Sequence, residues 1–176
     1  MIKIIHAEEA HIPAVMKIEE ACISPPWSEG ALTNEIGRDD GLFALAICNG
    51  VDIENGRDAD NGAAGREAAV LGFCIVRRMA DEAELYQIAV RPDMRRHGIA
   101  DRLMAAAESY CRAHHVRSIY LEVRRSNEPA IRLYKKHGFK NEGRRKNYYS
   151  SPVEDAVIMS RAGDGYKNNG FEESIC

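Results

Sequence analysis

Hydrophobic positions along the chain alternate between two periods. Ile2, Ile4 and Ile5 form a short β-like run, after which Ile12, Val15, Met16, Ile18 and Cys22 recur at the three- and four-residue spacing of a buried helical stripe. Pro25-Pro26 ends that helix. Ser28 is placed to cap a second, short one carrying Leu32 and Ile36, ahead of a strand over Leu42–Cys48. Val70–Met79 and Glu84–Val90 are β-branched and apolar enough for adjacent strands joined by a polar turn at Ala80–Ala83. Gly98–His114 sets Ile99, Leu103, Ala106, Ala107 and Tyr110 on one helical face and leads into a strand over Ser118–Val123, a β-α-β unit. Asn127 caps a helix over Glu128–Lys136, in which Ile131 and Tyr134 are apolar neighbours, and His137-Gly138 stops it. Two further strands follow, near Phe139–Tyr148 and Val153–Ser160.

Two segments carry no apolar period. Asn49–Ala69 holds four Gly with scattered charges and reads as a surface-loop insertion, 49–69, in a hairpin; Arg161–Cys176 is polar with three Gly and reads as a flexible tail, 161–176. The remainder, residues 1–160, is expected to be one domain, since 176 residues favour a single core. Hydrophobic residues at 45% and charged residues at 29% match an ordinary globular protein and argue against disorder or a membrane span. A net charge of -3 argues against a strongly basic nucleic-acid binder. The average conceals segregation: Arg91–Lys146 holds 15 Lys+Arg against 6 Asp+Glu, and the rest 9 against 21. Five scattered cysteines without a CxxC pair, and histidines without partners at ligand spacing, predict reduced thiols, no metal and a cytoplasmic setting. The opening MIKIIHAEEAH lacks the basic and long apolar segments of a secretory signal.

The chemistry concentrates in ELYQIAVRPDMRRHGIADRLM, Glu84 to Met104. A strand turns at Arg91-Pro92-Asp93, and Arg95-Arg96-His97-Gly98-Ile99-Ala100 leads into a helix. A helix N-terminus offers unpaired N–H groups and partial positive charge, so a glycine-containing turn there can wrap a pyrophosphate, with arginines adding charge. Neither a GxxxxGK[ST] loop nor a GxGxxG fingerprint is present. Arg-x-x-Gly-x-Ala after a strand ending in Ala-Val-x-Pro resembles the acetyl-CoA signature of the GCN5-related N-acetyltransferases. LEVRRSNEPAIRLYKKHGF, Leu121 to Phe139, looks like the second half of that fold. RRKNYY, Arg144 to Tyr149, followed by EDAVIM, and PPWSEGAL near Pro25 narrow the likeness to the ribosomal-protein alanine N-acetyltransferases.

The resemblance implies an α/β (α+β) fold: a mixed, twisted central sheet of about seven strands, helices on both faces, and splayed fourth and fifth strands that admit the pantetheine arm of acetyl-CoA. By position it assigns cofactor contacts to the backbone of Ile88, Ala89 and Val90, to Arg95, Arg96, His97, Gly98, Ile99, Ala100 and Asp101, and to Asn127. Glu122 lies between apolar residues in SIYLEV, on the strand face opposite Leu121 and Val123, where a solvated carboxylate is one reading. The resemblance makes it the general base and makes Tyr134, otherwise an aromatic helix anchor, the acid that protonates the thiolate. It places Trp27, the only tryptophan, and Tyr148 and Tyr149 on the walls of an acceptor groove.

The activity so implied is direct acetyl transfer in a ternary complex to a protein N-terminal α-amine, the alanine of a small-subunit ribosomal protein. Expected partners are a protein or peptide N-terminus, with no direct nucleic acid and no membrane, for a monomer or weak dimer. Another N-terminus, a lysine or a small amine is the alternative acceptor, since a fold does not name a substrate. A non-catalytic acyl-CoA-binding module is the alternative of a different class; it would need neither Glu122 nor Tyr134.

Overall fold

Seven strands make one sheet: β1 (Ile2–His6), β2 (Gly41–Cys48), β3 (Ala69–Met79), β4 (Glu82–Val90), β5 (Ser118–Arg124), β6 (Lys140–Ser150) and β7 (Val153–Ala162), in the order β1-β2-β3-β4-β5-β7-β6. The computed structural model describes residues 1–48, 51–52, 57–58 and 68–163. Every neighbouring pair is antiparallel except β4 and β5, which run parallel and are joined through α3 (Ile99–Ala113), the β-α-β unit read from the sequence.

That parallel pairing is short. Glu82, Ala83 and Glu84 lie beside Ser118, Ile119 and Tyr120, and the ladder stops there. β4 runs on to Val90 and β5 to Arg124 without a ladder between them, so the sheet opens into a V. A β-bulge sits where the strands part: Ile75 faces Gln87 while Val76 faces Leu85, which makes Tyr86 the extra residue. A bulge bends its strand and tightens the local twist, which turns the end of β4 away from β5.

Strand alternation divides the core between the two faces. Leu42, Ala44, Leu71 and Cys74 pack with Leu121 and Val123 against α3 and α4 (Glu128–Lys136). Phe43, Leu45, Phe73 and Ile75 pack on the other face against α1 (Ile12–Cys22) and the single-turn α2 (Glu29–Thr33). Each fully buried Leu or Phe contributes about 1.5–3 kcal/mol, which fixes the helices on both faces. The expected caps form: the Ser28 side chain accepts from the Ala31 N–H at 3.2 Å, and the Asn127 side chain from that of Ala130 at 3.2 Å. No helix among the described residues is long and apolar enough to cross a membrane.

Several boundaries move. Ala69 begins β3, and β4 starts at Glu82, which leaves only Ala80 and Asp81 in the turn. Phe139 precedes β6 and is buried, its ring 5.9 Å from that of Tyr134, because the end of α4 needs an apolar stopper more than the edge strand does. Arg161 and Ala162 extend β7, so the polar tail starts later than residue 161. The Arg161 guanidinium pairs with Glu108 at 2.6 Å and the Gly163 N–H donates to the Arg117 carbonyl at 2.8 Å, contacts that a polarity count cannot reveal. Residues 164–176 lie outside the described residues, as does most of the 49–69 insertion, within which Val51–Asp52 and Arg57–Asp58 pair as a short ladder.

Candidate active site

The two edges of the V differ in chemistry. The Arg91 N–H donates to the Leu71 carbonyl at 2.9 Å, so by alternation Ala89 also directs its backbone to β3, while Ile88 and Val90 direct theirs toward the open edge. The Val90 carbonyl confirms this direction, because it accepts from Arg95 Nε at 3.3 Å and from the Cys22 thiol at 3.5 Å. Of the three backbone positions expected to meet the cofactor, Ile88 and Val90 therefore face the gap and Ala89 does not. Backbone groups along such an edge need partners, and an amide-bearing chain can supply them.

The loop expected to hold phosphates wraps the start of α3. Gly98 is its N-cap at φ 73°, a left-handed conformation that costs a residue with Cβ about 1–2 kcal/mol. A Cβ placed there would meet nothing within 4 Å, so the turn is open to a ligand. Arg96 shares the left-handed conformation at φ 68°, and His97 Nδ1 lies 2.9 Å from the Arg95 carbonyl. Ile99 is buried in the core below the loop and Ala100 packs against that core. The Asp101 carboxylate turns away from the loop, 2.7 Å from Lys136 Nζ and 3.0 Å from His137 Nε2, and Lys136 holds it below the usual carboxylate range. Its side chain ties α3 to the end of α4, which leaves only its backbone near the N-terminus of α3. Asn127 is exposed and spends its side-chain oxygen on the cap of α4.

On the α1 and α2 side of the sheet, the same alternation lines up Tyr120, Glu122 and Arg124 along β5, opposite the buried Leu121 and Val123. Glu122 is largely enclosed, 17% exposed, and pairs with Arg145 of β6 at 2.9 Å. The Tyr148 phenol donates to Glu122, which holds that phenol above its usual value. Tyr149 lies edge-on to Tyr148 with ring centroids 5.1 Å apart, and burial pushes its phenol up to about 12. These neighbours share the site because β6 bulges between Arg145 and Tyr149, with Asn147 at φ 51°. Across from them, Trp27 meets Tyr86, the bulged residue of β4, edge to face with ring centroids 6.1 Å apart. Tyr134 sits on the opposite face, buried in the α3 and α4 core, and burial raises its phenol well above the ordinary range.

Sequence reasoning missed four members of this site. Glu84 and Tyr86 of β4 share the side of Glu122; the Glu84 carboxyl is pushed up first by burial and then by the charge of Glu122. Arg77 of β3 stacks on Tyr86 at 4.9 Å and is held by Glu35 through Nε at 2.8 Å. Arg77, Tyr86 and Glu84 line a cavity of about 130 Å³ together with Met79, Glu82 and Tyr120. The fourth is Arg145 of β6, the ion partner of Glu122. Outside these groups, Arg124 lies over the Tyr149 ring at 4.2 Å. A period-2 reading of ELYQIAV and SIYLEVR gives the faces of Glu84 and Arg124, but the bulge at Tyr86 has no local sequence signature.

The acetyltransferase (GNAT) family model matches residues 12–139. The [ribosomal protein bS18]-alanine N-acetyltransferase of Escherichia coli (strain K12) is 33% identical over 155 residues, which span 87% of this chain and 92% of that protein. Among solved structures, the ribosomal-protein-S18-alanine N-acetyltransferase of Escherichia coli superposes with TM-score 0.78 at 30% identity, covering 97% of this chain and 99% of that one. Arabidopsis thaliana NAA60 in complex with acetyl-CoA superposes with TM-score 0.73 at 19% identity, covering 92% and 98% of the two chains, a likeness of fold.

Proposed function

Because the chain belongs to the acetyltransferase (GNAT) family, we propose that it transfers the acetyl group of acetyl-CoA to a protein N-terminal α-amine, that of the alanine of a small-subunit ribosomal protein, in the cytoplasm. The observation that carries the reaction is a pair of ionisable groups on opposite faces of the opened sheet, Glu122 of β5 on one and Tyr134 in the α3 and α4 core on the other. A proton acceptor on one side of a gap and a proton donor on the other suit an amine that arrives and a thiolate that leaves. The acceptor rests on the kinship with the bS18-alanine enzyme.

Acetyl-CoA supplies the activated thioester, and the chain's own residues do the rest. Backbone groups of Ile88 and Val90 align the pantetheine arm, while the turn at Gly98 and the charges of Arg95 and Arg96 hold the phosphates. Glu122 takes a proton from the α-ammonium, directly or through a water, and frees the nitrogen lone pair. As the C–N bond forms, the Val90 N–H donates to the carbonyl oxygen. The C–S bond then breaks, the Tyr134 hydroxyl, kept protonated by burial, donates its proton to the sulfur, and the second proton lost by the acetylated nitrogen restores that hydroxyl through solvent. Trp27, Tyr148 and Tyr149 flank the acceptor chain.

Mass spectrometry of peptides incubated with the protein and acetyl-CoA tests the reading. A gain of one acetyl on an alanine-initiated ribosomal peptide, and none on lysine side chains or polyamines, is the expected result. Glu122→Gln is expected to lower the rate about 100-fold or more, the usual contribution of a positioned base, without weakening acetyl-CoA binding. Acetylation confined to lysine or polyamines removes the proposed acceptor, and wild-type turnover by Glu122→Gln at neutral pH removes the proposed base.

A further inference from the structure

Two segments far apart in sequence converge on one guanidinium. Arg124 Nη2 donates to the Ser24 carbonyl at 2.9 Å and to the Ser151 carbonyl at 3.0 Å. Its Nη1 reaches the Pro152 carbonyl at 3.2 Å and Glu154 Oε2 at 3.4 Å. The plane of the group rests on the Tyr149 ring at 4.2 Å. The Ser24 hydroxyl donates directly to the Ser151 carbonyl at 3.4 Å, so the segment after α1 and the turn between β6 and β7 also touch each other. Glu154 is itself fixed by the Ser126 N–H and, at 3.1 Å, by the Ser126 hydroxyl, so the guanidinium has a rigid neighbour on its far side. Arg124 is only 19% exposed and Glu154 15%.

From this convergence we propose that Arg124 is a positioning residue for the acceptor chain: it latches the two walls of the groove, the Ser24–Trp27 segment and the Tyr148–Pro152 turn, over residues that follow the acetylated one. Arg124 stands two residues beyond Glu122 on the same face of β5, a separation of roughly 7 Å, so the latch lies one side-chain step outside the proposed base. Its partners on the walls are backbone carbonyls, and a planar guanidinium can serve several at once in fixed directions where an ammonium cannot. The latch therefore holds wall geometry, while the groove side chains it positions meet the acceptor. This inference rests on the proposed acetylation of an N-terminal α-amine.

Arg124→Lys keeps the charge and loses the fork, and it separates the latch from the chemistry. Steady-state kinetics with an alanine-initiated hexapeptide and with alanine amide, a one-residue acceptor that ends before the latch, provide the comparison. The variant is expected to raise KM for the hexapeptide about tenfold, with kcat little changed, while kcat/KM for alanine amide stays within about twofold. Trp27, the single tryptophan, gives a second readout that needs no acceptor. Acrylamide quenching of its emission is expected to increase about twofold in Arg124→Lys, with the thermal transition of the sheet retained. Equal loss on both acceptors, or no loss on either, overturns the latch. If wild-type protein acetylates neither acceptor, the acetylation reading fails; unchanged Trp27 quenching then overturns the latch separately.

Discussion

Glu122 and Glu19 are both carboxylates set among apolar neighbours, and their surroundings give them different roles. Glu122 faces Arg145 and Tyr148 at the mouth of the V, with cation and phenol within reach. Glu19 sits fully buried in α1, accepts the Trp27 backbone N–H at 3.4 Å, and leaves Oε1 without a hydrogen-bond partner. It holds the Trp27 segment from below as Arg124 holds Ser24 from the side. Burial raises its carboxyl above the ordinary value of 4.5, against the opposing pull of Trp27 and Gln87. A group with a raised folded value adds stability that is fully present below 4.5 and is lost as pH rises through the folded value. Glu19→Gln keeps an acceptor for Trp27 and cannot ionise. Its Tm relative to wild type is expected to rise as pH increases from about 4 to 8. Calorimetry over that range checks the sign, and a difference independent of pH would show that Glu19 ionisation is not coupled to folding.

At the scale of elements, α3 joins the glycine turn proposed for the cofactor to the core. Its buried face carries Leu103, Met104, Ala107 and Cys111, while its first turn opens on the gap through Gly98. Gly98→Val forces a β-branched residue into the left-handed region and puts methyls where phosphates are expected, so KM for acetyl-CoA should rise about tenfold or more with a modest fall in Tm. A fall in Tm with KM unchanged would make the glycine a folding residue only. The helical elements were legible because their apolar stripes and caps are local: Ser28, Asn127 and Gly98 each mark a helix start within a few residues. Strand pairing was less so. Nothing between Glu84 and Val90 announces that Tyr86 is extra, since a bulge is decided by the partner strand, here Ile75 and Val76 of β3. Glu19 also escaped notice, because a carboxylate on a helix is ordinarily solvated and its burial depends on the Trp27 segment folding over it. Family likeness brought Glu122 and Tyr134 forward. On the Glu122 side, Glu84, Arg77 and Arg145 needed the folded sheet, which brings β3, β4 and β6 to one groove.

Across the whole molecule, the V is a seam. Strands β1 to β4 form one antiparallel run and β5 to β7 another, and among the described residues three pairs join them within the sheet, Glu82 to Ser118 through Glu84 to Tyr120. Beyond those pairs the halves are held by the α3 and α4 core on one face and by the Arg124 latch on the other. A ligand that lies in the gap and bonds to Ile88 and Val90 completes the open edge, so it should stabilise the protein beyond what contact with the α3 turn alone provides. Mass action gives about 2.7 kcal/mol at a ligand concentration 100 times Kd, independent of where the ligand sits. Location must therefore be read from hydrogen exchange. With acetyl-CoA, protection is expected to rise most in β4 from Gln87 to Val90, in β5 from Leu121 to Arg124 and at the first turn of α3. With adenosine 3′,5′-bisphosphate, which has no pantetheine arm, protection should be confined to the α3 turn. If acetyl-CoA protects only that turn, or protects β2 and β3 as strongly as β4, then the gap does not hold the pantetheine arm, and the splayed strands need another explanation.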